Sequence, residues 1–223
     1  SIITADKFFF NKLTNILEAT GNVKYSDISN DIIINSDKAI YLKNEEKVFT
    51  AGNSKAVNEN NTITASTLEY DKINNIFKAK KNAVAKDFEK ETTIYADEIT
   101  YFKNEEKVFT TGKTKALIQN KYKFDSKNVT YFRNSDDLFS QKTSSVEDDN
   151  GNIYKLKNFS YNVNQELLKG KDVEVLSKVE KNKFDKYFFS EGFFNFKDKS
   201  HLAKETKIKI HKDVFDDINQ DPR

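Results

Sequence analysis

The sequence predicts an all-β fold, an elongated repeat-built β-jellyroll of roughly fifteen antiparallel strands in two facing sheets. Three observations carry this. Residues 41–50 read YLKNEEKVFT and residues 101–110 read YFKNEEKVFT, two decapeptides sixty residues apart that differ at one position. Self-similarity at a fixed separation is the mark of a repeat architecture. A four-residue pattern of small and apolar side chains, spaced two, three and two, returns about every thirty residues. Between its copies the chain alternates with period two and turns on Asn- and Lys-rich stretches, which is strand grammar rather than helix grammar.

The first copy is Ile3, Ala5, Phe8 and Phe10. Its spacing is strand alternation with one extra residue, as at a bulge or corner. It returns as Ile34, Ser36, Ala39, Tyr41, then as Ile63, Ala65, Leu68, Tyr70, then as Ile94, Ala96, Ile99, Tyr101, and then as Phe124, Ser126, Val129, Tyr131. A weaker copy is Leu156, Asn158, Tyr161, Val163, and His201, Ala203, Thr206 and Ile208 fit the spacing once more. The second half of each unit alternates plainly: Leu17, Ala19, Gly21, Val23 in the first, Val48, Thr50, Gly52, Ser54 in the next, then Phe77, Ala79, Lys81, Ala83. Polar turns at 11–15, 43–47, 71–75, 103–107 and 133–137 join the halves. Only 213–219 has a helical look.

Stacking the units aligns one aliphatic column (Ile3, Ile34, Ile63, Ile94, Phe124) and one aromatic column (Phe10, Tyr41, Tyr70, Tyr101, Tyr131). The apolar faces then have to meet, so the sheet folds over into a jellyroll or a coiled two-sheet sandwich. Small residues at the corner and midstrand positions (Ala5, Ser36, Ala65, Ala96, Ser126, and Gly21, Gly52, Gly112) leave the interior only partly filled, which suits a lipid groove. The commoner reading of such stripes is a plain packed core.

Composition narrows the partners. Of 37 basic residues 35 are lysine, the exceptions being Arg133 and Arg223, and the net charge is +2. Nucleic-acid recognition leans on the arginine fork, so a nucleic-acid partner is not expected. The chain has no cysteine, which rules out a disulfide framework and thiolate metal sites. No apolar run approaches the roughly 20 residues of a spanning helix. Ser1 is not expected to open a secretory leader, and a mature portion of a longer protein is expected.

The consensus I-x-A-D-x-I-x-Y, a polar turn, then V-x-x-x-G, is present as IYADEITY with VFTTG and as ITADKFFF with LEATGNV. It resembles the OstA-like domain of the lipopolysaccharide-transport proteins, clearly from Ile3 to about Val163 and loosely to Ile210. The resemblance implies a periplasmic β-jellyroll open along one side, which carries lipopolysaccharide with the acyl chains of lipid A inside. The length of the chain resembles the periplasmic amino-terminal domain of the outer-membrane assembly branch, in which the jellyroll precedes a β-barrel. Residues 1–210 are then one jellyroll and 211–223 a linker toward that barrel.

The inward positions expected to touch lipid are Phe8, Phe10, Ile34, Tyr41, Leu68, Tyr70, Phe77, Ile99, Tyr101, Phe124, Val129 and Tyr131. Ile2, Ile3 and Phe9 form an edge expected to pair with an upstream jellyroll bridge protein. The implied partners are lipopolysaccharide, that bridge, the outer-membrane barrel and its plug lipoprotein. A free-standing bridge protein and a structural β-solenoid stalk without cargo remain alternatives.

No catalytic set or cofactor is expected. Asp6, Asp37 and Asp97 align by repeat, but calcium-binding β-repeats need Gly and Asp crowded into each turn, so corner capping is the better reading. His201 and His211 lack neighbouring ligands. Glu147, Asp148 and Asp149 precede Asn150 and Gly151 as in a hairpin loop. Lys43, Lys47, Lys103 and Lys107 sit on equivalent turns, as solvated charges or as a basic rim for lipid phosphates.

Overall fold

The structure, a computed structural model, describes residues 1–180 and 183–210. The expected linker 211–223, with His211 and the helical stretch 213–219, lies outside the described residues.

Among the described residues twenty strands form one antiparallel sheet. In chain order its rungs begin with β1 (Ile2–Thr4) and β2 (Lys7–Asn11) end to end, β3 (Ile16–Asp27) and β4 (Ile32–Leu42). β5 (Lys47–Ala51) with β6 (Ser54–Val57) makes the next, and β7 (Asn61–Ala65) with β8 (Thr67–Asp71) the one after. Then come β9 (Ile76–Asp87), β10 (Thr92–Phe102), β11 (Lys107–Ile118), β12 (Tyr122–Lys127) with β13 (Thr130–Phe132), and β14 (Asp137–Ser140) with β15 (Ser144–Glu147). The last are β16 (Ile153–Asn162), β17 (Leu167–Glu180), β18 (Lys183–Asn195), and β19 (Ser200–Lys204) with β20 (Lys207–Lys209). Among the described residues this makes fourteen rungs, each antiparallel to the next. The all-β jellyroll expectation holds. The strand count exceeds fifteen because six rungs are cut in two at the corner.

The corner lies where the two-three-two spacing puts its extra residue. The pairings of β10 with β9 and with β11 both shift register between Ala96 and Glu98. There the Asp97 carboxylate fills the space a side chain on Gly112 would need, 2.1 Å from that Cβ position. Asp6 faces Gly21 and Asp37 faces Gly52 in the same way, each at 2.3 Å. All three glycines have φ near +80°, a conformation that costs little without a Cβ. Corner capping is therefore the role of the three aspartates: Asn22 and Asn53 donate to Asp6 and Asp37 at 3.0 and 2.9 Å, and the Lys113 backbone N–H donates to Asp97 at 3.3 Å.

The corner folds each rung back on itself. Laid straight, the eleven residues of β10 would reach about 36 Å at about 3.3 Å each. Yet Lys103 Nζ, just past one end of β10, donates to the carbonyl of Asn30 at 2.9 Å, in a turn belonging to the opposite ends of the rungs. One half of the sheet therefore lies over the other, and the apolar faces meet inside.

Each half carries one unbroken column. On one, Leu17, Tyr41, Val48, Tyr70 and Phe77 are consecutive cross-strand partners. Tyr101, Val108, Tyr131, Leu138 and Tyr161 continue it. On the other, Ile3, Tyr25, Ile34, Ala56, Ile63 and Ala85 follow one another. Ile94, Ala116, Phe124, Val146 and Tyr154 complete that series. Nearly all of these residues form one core.

Phe8 and Phe10 depart from the expectation of inward burial. Their register is inward, opposite Ala19 and Leu17, but they are 50% and 44% exposed. The reason is position: β1 and β2 make the end rung, paired with β3 alone among the described residues, so nothing stacks beyond them.

Candidate functional site

An apolar cavity lies between the two columns in the middle rungs, with about 740 Å³ of empty space including its mouth. Ile32, Ile63 and Ile94 wall one side and Phe77, Ile99 and Val108 the other. Its cause is a volume deficit in one column. Tyr25 and Tyr154 occupy that column near its two ends, whereas Ala56 and Ala85, which line the cavity, stand on rungs between. An alanine leaves room where a tyrosine ring would reach across. The corner residues, expected to supply this room, do not: Ser36, Ala96 and Ser126 are buried and do not line the cavity.

Aromatic rings bound the cavity at both ends. Toward the amino terminus the Tyr25 ring meets Tyr70 at 6.2 Å and Tyr41 at 6.5 Å across the fold. Toward the carboxyl terminus Phe124 meets Tyr161 at 5.0 Å, and Tyr154 meets Phe194 and Phe196, each at 5.1 Å. Such contacts fill the interior with edge-to-face and tilted ring packing. The open space is thus a compartment, not a channel running the whole length.

Along the mouth, polar side chains cross from the ends of one half-sheet to the ends of the other. Asp27 accepts from Tyr70 Oη at 3.3 Å and lies 3.9 Å from Lys72 Nζ. Burial alone would raise the Asp27 pKa, but hydrogen bonds from Asn30 and Ser29 and the Lys72 charge hold it below the usual carboxylate range. Further along, Arg133 Nη2 donates to Asp87 at 3.1 Å, while Nη1 donates to Glu106 at 2.9 Å and to Tyr101 Oη at 3.2 Å. Burial opposes the Arg133 charge, yet Tyr101, Asp87 and Glu106 together push its pKa upward. Burial also pushes the Tyr25 and Tyr41 phenols up to about 12, so both stay neutral at any physiological pH.

Of the residues singled out in the sequence, Phe77, Ile99, Tyr101 and Tyr131 line the cavity. Ile34, Leu68, Tyr70, Phe124 and Val129 are buried core residues outside it, and Tyr41 is half-buried. In the candidate edge, Ile2 and Phe9 are exposed at 56% and 62%, whereas Ile3 turns inward against the core. Lys47 and Lys107 pair with Glu45 and Glu105 of their own turns, at 3.0 and 3.5 Å. Asp148 caps its hairpin, accepting from the backbone N–H of Asn150 and Asn152 at 2.9 Å each and from Tyr154 Oη at 3.1 Å. His201 is exposed against Phe194, and no group of residues suited to a metal ion occurs among the described residues. The alanine series and Arg133 were not among the expected site residues. Arg133 did carry a signal, being the one arginine inside the repeats of a chain that otherwise uses lysine.

Residues 2–107 match a family model described as LptA/(LptD N-terminal domain) LPS transport protein. This part of the chain is thus similar to the OstA-like lipopolysaccharide-transport family. The family match ends just past β10, so it takes in both copies of the decapeptide up to Lys107. Among solved structures, the chain is similar to LptH of Pseudomonas aeruginosa, the LptA homologous periplasmic component of the lipopolysaccharide transport device. The two are 12% identical with a TM-score of 0.40, over 66% of this chain and 94% of that one. No curated protein matches the sequence.

Proposed function

We propose that this chain is a periplasmic carrier of lipopolysaccharide that shelters lipid A acyl chains in the cavity between its two columns. The observation that carries this reading is an interior walled by hydrocarbon but left unfilled, in a chain whose residues 2–107 match the model of a lipopolysaccharide-transport family. Hiding an acyl chain from water is worth about 0.8 kcal/mol per methylene, so a lipid with several chains cannot cross an aqueous space unaided. The walls named above offset that cost without a covalent step, and the chain is read as a carrier, not an enzyme.

In the finer reading the domain is the amino-terminal part of an LptD-like assembly protein. Its β1–β2 edge, carrying Ile2 and Phe9, receives lipid from an upstream jellyroll by strand pairing. The carboxyl end, through 211–223, leads to an outer-membrane barrel and its plug lipoprotein. A free-standing bridge is the second reading, favoured by the fact that β19 and β20, like β1 and β2, pair on one side only among the described residues.

Photo-crosslinking with purified lipopolysaccharide tests the carrier role. A photoreactive residue in place of the cavity-lining Ile63 or Phe77 is expected to capture lipid, and one in place of the outward Tyr95 or Lys115 is not. Equal capture from both faces would overturn the proposal.

A further inference from the structure

A lipid whose chains lie inside the fold and whose polar head stays outside must pass its linking atoms through the seam where the half-sheets meet. The seam is not empty. Across the cavity mouth, charges reach over from both sides: Arg133, following β13, holds Asp87 at the end of β9, and Lys90, in the turn after β9, holds Asp136 in the turn after Arg133. Lys90 Nζ also donates to the Arg133 carbonyl at 3.4 Å, so the two crossings interlock. Asp136 is fixed further by Tyr131 Oη at 3.0 Å and Asn164 Nδ2 at 2.6 Å. The side chains of Asp87 and Asp136 are only 9% and 6% exposed and that of Arg133 18%. Charges so removed from water hold each other strongly, because a lost partner leaves a desolvated charge behind. The pairs join residues more than forty positions apart in sequence, so they bind one half-sheet to the other rather than neighbouring rungs. Asp87 and Arg133 themselves line the cavity.

We propose that Arg133, Asp87, Lys90 and Asp136 form a latch across the open side of the cavity, which has to part whenever an amphiphile enters sideways or slides past these rungs. The closed seam is a property of the fold alone, whereas its role in lipid passage rests on the carrier reading. The use of arginine follows from geometry. A planar fork bridges Asp87 on one side of the seam and Glu106 with Tyr101 on the other, which a lysine ammonium on its single stem does less well. The cation that closes the mouth thus also anchors to the half-sheet it reaches from.

Two manipulations test this in the full chain, which contains no native cysteine to interfere. Arg133→Gln with Lys90→Gln unfastens the latch. Asp87→Cys with Arg133→Cys, bridged by dibromobimane, fastens it permanently, with the unbridged form as its control. Hydrogen exchange of the amides in 87–91 and 133–136 reads the seam without any lipid. It is expected to rise about tenfold in the Gln pair, the loss of roughly 1.4 kcal/mol of closure, with the corner at 96–98 unchanged. Changing the exposed Lys157–Asp172 pair instead is expected to leave the seam as it was.

Uptake of purified lipopolysaccharide is expected to quicken in the Gln pair and to stop in the bridged form. Unchanged exchange at 87–91 and 133–136 in a folded Gln pair would overturn the latch. Uptake by the bridged form at the rate of its unbridged control would overturn its place in lipid passage. If exchange responds but no form takes up lipopolysaccharide, the latch stands and the carrier reading falls. Arg133→Lys, expected to give an intermediate exchange rate, guards against misfolding of the Gln pair.

Discussion

At the scale of single residues, the fold depends on a few positions where backbone and side chain are matched in space. Gly112 sits at φ +81° with the Asp97 carboxylate where its Cβ would be. Gly112→Ala is expected to cost about 1–3 kcal/mol in urea unfolding, from the left-handed backbone together with the clash. Asp97→Ala in the same chain should return only the clash component, and a midpoint equal to wild type for Gly112→Ala alone would refute this account of the corner. The ingredients were in plain view: in all three cases the glycine follows its aspartate by fifteen residues. Sequence spacing named the aspartates as caps but not what they cap, because the partner lies on the next rung and only the register brings the two together. Ser66, at an equivalent corner, faces Lys81 at φ +66° instead of a glycine and bonds to its carbonyl, so the aspartate is lost where the glycine is lost.

At the scale of the strand, alternation tells which face a residue is on and stops there. It placed Tyr70, Ile99 and Tyr131 inside correctly, and it placed Phe8 and Phe10 on the same face, where they are nonetheless half-exposed because β2 has a neighbour on one side only. The cavity was legible only as an idea. Its room comes from Ala56 and Ala85, which lie on the intervening strands, and cross-strand order cannot be read until β5 to β8 are known to break at the corner. Packing also leaves one polar loose end. The Tyr161 hydroxyl is buried and finds no hydrogen-bond partner among the described residues. Tyr161→Phe should therefore leave stability unchanged or raise it by up to about 1 kcal/mol, since no hydrogen bond is lost and a desolvated hydroxyl is removed. A drop of 2 kcal/mol or so in thermal or urea unfolding would mean that the hydroxyl does have a partner.

At the scale of the whole molecule, each rung touches mainly the rungs before and after it, so stability accumulates along the stack as in other repeat proteins. Hydrogen exchange should be slowest in β9 to β11, which have paired rungs on both sides, and fastest in β1, β2, β19 and β20. Uniform protection from end to end would argue for one indivisible cooperative unit. The columns carry a last consequence, one of distance. Adjacent rungs are set about 4.8 Å apart by backbone hydrogen bonding, so fourteen of them reach about 62 Å. The near-identical decapeptides stand four rungs apart, about 19 Å, on strands that present the same inward residues. Gaining or losing such a block would alter how far one chain extends while leaving its cross-section as it was, which makes the number of repeats a spacer whose length can change independently of what the walls hold.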